Sequence, residues 1–152
     1  EQRHHGVACV SARDFRWERG DIKSVSLLGN VMARQMSADK GAVETVMFRD
    51  GYLTEASASN VWVVHEGAVL GPPKSEHVLE GIRVDLLREL CEDCGIAYNL
   101  RPIPEADLAT ADVSLIETMR SPRAACRLRS VVAGLVMGRA PFVRAGLFGI
   151  GA

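Results

Sequence analysis

The 152-residue chain has no apolar run near the roughly 18–20 residues of a membrane-spanning helix. It also has no surplus of one charge. Eighteen Lys+Arg stand against 19 Asp+Glu, a formal net charge of −1, which argues against a generally basic nucleic-acid binder. The opening residues, EQRHHGVACV, lack the charged, apolar, small-residue order of a secretion signal. The expected location is therefore the cytoplasm, with no membrane and no nucleic acid as partner. Internal repeats and low-complexity linkers are absent. Cysteine is scarce: Cys9, Cys91, Cys94 and Cys126. Cys91 and Cys94 form a C-x-x-C, but no second Cys or His pair stands at zinc spacing, so no metal site is expected. His4 and His5 have no third ligand and are expected to be solvated. Acidic residues stop at Glu117. Residues 1–119 hold 12 Lys+Arg against all 19 acids, a net of −7, and residues 120–152 hold six arginines and no acid, a net of +6.

What is present suits one globular domain with a real core: 47% hydrophobic and 24% charged residues. The alternation in HHGVACVSARDFRW predicts a strand leading to a turn. In SLLGNVMARQMSADKGA, residues Leu27, Leu28, Val31, Met32, Gln35 and Met36 recur at helical spacing, and Gly41 is placed for a left-handed C-terminus. ETVMFRDGYLTEAS reads as a hairpin about Asp50-Gly51, and NVWVVHEGAVLGPP as another about Glu66-Gly67. GIRVDLLRELCEDCG predicts a second helix closed by Gly95. Its Leu86, Leu87, Leu90, Cys91 and Cys94 share a face, which makes the cysteines small buried hydrophobes. IAYNLRPI is a strand, PEADLATA a short helix with proline at its first position, and DVSLIET a last strand. Hairpins mixed with crossovers give an α/β or α+β class.

Three features carry candidate chemistry. Lys23 stands in DIKSVSLL at the entrance to an apolar run, where lysine is seldom buried without a partner. Glu55 ends a strand and opens a loop of small residues, Ala56, Ser57, Ala58, Ser59 and Asn60. Such a loop lets a flat ligand approach the backbone, and its serines supply adjustable hydrogen bonds. Ser57 and Ser59 either bond a cofactor or shape the turn. Gly81 precedes a helix whose first N–H groups suit a phosphate. An amine, a carboxylate and a phosphate-ready helix start are the parts that a pyridoxal phosphate site needs.

RWERGDIKSVSLLGNVMARQ, DGYLTEASASNVWVV and LEGIRVDLLREL, in this order, resemble the class IV pyridoxal-phosphate aminotransferases over about residues 6–118. The D-amino-acid branch is the most similar. The resemblance implies a mixed-sheet, pseudo-barrel large C-terminal domain with flanking helices over residues 1–119. It implies pyridoxal 5'-phosphate held as a Schiff base by Lys23, with Glu55 facing the ring nitrogen, Ser57 and Ser59 near the cofactor, and Ile82 and Arg83 at its phosphate. It also implies amino transfer between a D-amino acid and a 2-oxo acid, in a homodimer. An amine that acts as a base near neutral pH needs burial or a cationic neighbour. Arg16 is expected to be structural or to support a neighbouring site residue, not to be catalytic. A 4-amino-4-deoxychorismate lyase shares the lysine and glutamate and is the alternative, as is a non-catalytic truncated remnant.

The sequence departs from the family pattern in places. The small N-terminal domain of the family is expected to be absent. The family's G-I-T-R reads GIRV here, and the threonine usual after the preceding strand is Gly71. The serine- and threonine-rich phosphate loop is replaced by ETMRSPRAAC. The likeness fades from Arg120, where the acids stop. A shifted reading frame would account for both, and residues 120–152 are expected to pack poorly or run irregularly.

Overall fold

Alternating and fully apolar stretches assemble into two four-stranded mixed sheets, each built on a strand–helix–strand crossover and a hairpin. The computed structural model describes residues 7–111, 113–117 and 146–149. The first sheet has the order β3-β2-β1-β8, from Tyr52–Ala56, Glu44–Arg49, Ala8–Arg13 and Gly146–Gly149. The second has the order β6-β5-β4-β7, from Tyr98–Leu100, Ala68–Gly71, Asn60–His65 and Val113–Glu117. Parallel neighbours cannot be joined by a tight turn. Helix α1 (Leu28–Asp39) therefore links parallel β1 and β2, and α2 (Ile82–Asp93) links parallel β5 and β6.

Both hairpins turn where the sequence places them. Asp50 and Gly51 have φ of 52° and 82°, and Glu66 and Gly67 have 49° and 76°. Two consecutive positive φ values give the turn whose twist matches the flanking strands. Gly41 and Gly95, both at φ 67°, close α1 and α2 as expected. Pro104 stands one residue earlier than expected. It caps α3 (Glu105–Thr110) with extended backbone, because it also bridges to Tyr52.

Strand β4 is buried on both faces. Val61 and Val63 enter a core between the sheets with Cys9, Val46, Phe48, Leu53, Leu70 and Ile103. Trp62 and Val64 face the other way, into a second core with Val69, Leu87, Leu90 and Cys91 beneath α2. The shared face read from the sequence of α2 is thus the packed one. Burial pushes the Cys9 and Cys91 thiols up to about 11, so little thiolate exists at neutral pH. Among the described residues no three potential ligands cluster for a metal, and no helix is long and apolar enough to cross a membrane.

Helix α1 differs. It buries Ala33 and Ser37 and leaves Leu28, Val31 and Met32 exposed. The Thr45 hydroxyl donates to the Ala33 carbonyl at 2.6 Å, a close approach that only a small residue allows. Four residues of the segment expected to run irregularly, Gly146–Gly149, form β8 alongside β1. The rest of 120–152, and His4-His5, lie outside the described residues.

Candidate active site

The chain passes from one sheet to the other through the turn at residues 57–59, and the candidate site is built around that crossing. Glu55, on β3, is buried. Its Oε1 accepts a charged hydrogen bond from Arg16 Nη1, and its Oε2 accepts the Leu79 N–H at 3.0 Å. Asn60, opening β4, donates through Nδ2 to the Leu79 carbonyl at 2.9 Å. The two ends of the turn thus grip one segment, residues 76–81, that leads directly into α2. Gly81 lies so close to Asn60 that a Cβ there would stand 2.5 Å from Asn60 Oδ1. A side chain at position 81 would have to displace the Asn60 amide.

The same segment is tied to the loop that carries Lys23. The Asp21 N–H donates to the Glu76 carbonyl at 3.1 Å, and Arg16 Nη2 donates to the His77 carbonyl at 3.2 Å. Segment 76–81 therefore brings together Glu55, the Lys23 loop and the start of α2. The burial expected for the Lys23 amine is not supplied by the described residues, because Lys23 is exposed. Near it in the sequence, Trp17, Ile22, Val25, Leu27 and Leu28 are also exposed.

Arg16 sits between two carboxylates. Asp14 Oδ2 is 2.8 Å from its Nη2 and Asp14 Oδ1 accepts from Nε at 3.0 Å. Burial opposes ionisation of Asp14, but the hydrogen bonds and charge of Arg16 outweigh it and hold the carboxyl below its ordinary value. For Glu55 the balance tips the other way. Burial raises its carboxyl above the usual value, with Arg16 and the Leu79 N–H opposing the rise. Burial also works against the charge on Arg16, yet its two carboxylate partners raise it.

Ser57 and Ser59 point to a second carboxylate. Both hydroxyls donate to Glu44, Ser59 at 3.2 Å, and Arg34 Nη1 pairs with Glu44 at 3.0 Å. Asn30 of α1 donates to the Ser57 carbonyl at 2.9 Å. In this arrangement both serine hydroxyls are engaged by Glu44. The backbone of Ile82 and Arg83 opens α2, which has no side-chain cap at its N-terminus; their side chains lie outside the described residues. Gly71 is explained by packing, since a Cβ there would meet the Trp62 ring at 2.9 Å. The sequence reading missed Asp14, Glu44 and Asn60. A glutamate inside the apolar stretch GAVETVMF is the one local signal that marks Glu44.

The model of the family described as amino-transferase class IV matches residues 1–120. A D-alanine aminotransferase of Bacillus licheniformis is 36% identical over 112 residues, which are 74% of this chain and 40% of that protein. The chain thus spans about two fifths of the length of the curated relatives it matches. Among solved structures, a branched-chain amino acid aminotransferase from Thermobaculum terrenum in its PLP form superposes with a TM-score of 0.73. It is 18% identical and covers 88% of this chain and 52% of its own. A putative 4-amino-4-deoxychorismate lyase from Legionella pneumophila superposes at 0.68, with 19% identity, over 77% of this chain and 45% of its own. These likenesses show a shared fold.

Proposed function

The chain belongs to the class IV aminotransferase family, and from that premise we propose that it is the cofactor-bearing part of a pyridoxal-phosphate transaminase. Its substrates on this reading are a D-amino acid and a 2-oxo acid, and it works as a cytoplasmic homodimer. The observation that carries the reading is Glu55: a buried carboxylate tied through segment 76–81 to the Lys23 loop and to the start of α2. The residues present fit the cofactor. Glu55 keeps a free lone pair on each oxygen for a ring N–H. The approach at Gly81 leaves the first N–H groups of α2 without a side-chain cap, as a phosphate requires.

When bound, pyridoxal phosphate supplies an electron sink for the substrate's α-carbon. Lys23 Nζ is the amine that holds the cofactor and afterwards carries the α-proton. Glu55 keeps the ring nitrogen protonated by accepting its hydrogen bond. Arg16 and the Leu79 N–H hold that carboxylate in place. The run of exposed apolar residues flanking Lys23 in the sequence supports a covering partner surface, since exposed apolar patches mark interaction sites.

The test is direct. Adding pyridoxal phosphate to the 152-residue chain should produce a visible absorbance band that Lys23→Ala removes. Amino transfer from D-alanine to 2-oxoglutarate then tests the substrate class. Release of pyruvate from aminodeoxychorismate in place of transfer would replace this reading with the lyase. No band at all would remove the cofactor-bearing reading of this chain.

A further inference from the structure

Asp14 makes no hydrogen bond to Glu55, yet it is bound from every side. Its side chain is fully buried. Oδ1 accepts the Arg16 backbone N–H at 3.1 Å and Arg16 Nε at 3.0 Å. Oδ2 accepts Arg16 Nη2 at 2.8 Å and the Thr54 hydroxyl at 2.9 Å. Its own N–H donates to the Phe48 carbonyl at 2.7 Å, which fixes it at the end of β1.

The guanidinium is a rigid planar fork. With its Nε and Nη2 edge seated on Asp14, and Nη2 also on the His77 carbonyl, it has no freedom to turn. Nη1 is left to meet Glu55 Oε1. Burying a second carboxylate beside the first is costly unless each is paired. Packing alone would be served better by an apolar residue at position 14. Such a residue would leave Arg16 with one acidic partner and free to swing.

We propose that Asp14 is a positioning residue that acts through Arg16 to set the direction and the charge balance of the Glu55 carboxylate. Its part in the reaction rests on reading Glu55 as the partner of the ring nitrogen. The charged and titratable groups around Glu55 are Arg16 in direct contact, Asp14 behind it, Arg49 Nη2 3.5 Å from Asp14 Oδ1, and the His77 ring against Arg49. Loss of the Asp14 charge lets Arg16 bear wholly on Glu55 and makes it a weaker acceptor.

The experiment follows the Glu55 carboxyl by carbon-13 NMR in the cofactor-free full chain. Asp14→Asn should lower its titration midpoint, because the negative charge behind Arg16 is gone. Leu87→Ala, which loosens the second core without touching the cluster, should leave the midpoint in place. Thr54→Val keeps every charge and carries the test if Asp14→Asn does not fold. It should speed solvent exchange of the Arg16 Nε–H roughly threefold, the loss of a modest hydrogen bond. An unmoved midpoint in Asp14→Asn, an equal shift in Leu87→Ala, or unchanged exchange in Thr54→Val would overturn the proposal. Pyridoxal phosphate absorbance is recorded on the same samples. A shifted midpoint with no visible band in any sample supports the positioning and sinks the transaminase reading instead.

Discussion

The two halves of the described fold share a plan and differ in what they bury. Each joins a strand–helix–strand crossover to a hairpin. Yet all the buried polar and charged residues among the described ones lie between Ser11 and Ser57. From Asn60 to Ala111 the buried side chains are apolar. The helices follow the same division. α2 packs Leu87, Leu90 and Cys91 inward, whereas α1 packs Ala33 and Ser37 inward and shows Leu28, Val31 and Met32 to the outside. One half is a scaffold held by packing. The other buries paired charge and leaves apolar side chains exposed.

Removing Arg16 should break this division most severely. Arg16→Met strands Asp14 and Glu55, two buried carboxylates, and is expected to cost about 3–5 kcal/mol at pH 7. Urea denaturation would measure it, and part of the loss should return in acid as the carboxyls protonate. Next comes Leu87→Ala in the other half, about 2–4 kcal/mol for a fully buried leucine. That loss should be the same at pH 4 and pH 7, because no titrating group is involved.

A smaller effect separates the halves by pH. Asp14 ionises more readily folded than unfolded, so its stabilisation is complete above the ordinary aspartate value of 3.8 and drains away as pH falls below it. Glu55 acts in the opposite sense, because its raised value makes the folded state the better proton acceptor. Thermal melts between pH 5 and pH 2 should therefore slope less steeply in Asp14→Asn than in the natural sequence; equal slopes would remove Asp14 from the account. Smallest of all, Met32→Ser on the exposed face of α1 should change the chain's stability by less than about 0.5 kcal/mol. A larger loss would show that α1 packs inward after all.

Local chemistry made much of this legible. The Asp50-Gly51 and Glu66-Gly67 turns, the glycine closures of α1 and α2 and the inward face of α2 follow from φ preferences and 3.6-residue periodicity. Lys23 and Glu55 were legible as a candidate pair because their flanking motifs are specific together. The exposure of the α1 stripe was not, since periodicity identifies a face but not what covers it. Asp14 and Glu44 were hidden for a related reason. A carboxylate's worth as an anchor depends on partners distant in sequence, such as Thr54 for Asp14 and Arg34 and Ser57 for Glu44.

The sequence by itself determined the family, the turn geometry and the order of elements as far as β7, and it marked Lys23 and Glu55 as candidates, because each rests on neighbours within a few residues or on a contiguous motif. Only the tertiary structure decided that Arg16 stands between Asp14 and Glu55, that segment 76–81 ties Glu55 to the Lys23 loop and to α2, and that Ser57 and Ser59 bond Glu44. Most of those contacts join segments far apart in the chain. Their energies arise from burial and charge pairing at distances of a few ångströms, which the linear order of residues does not record.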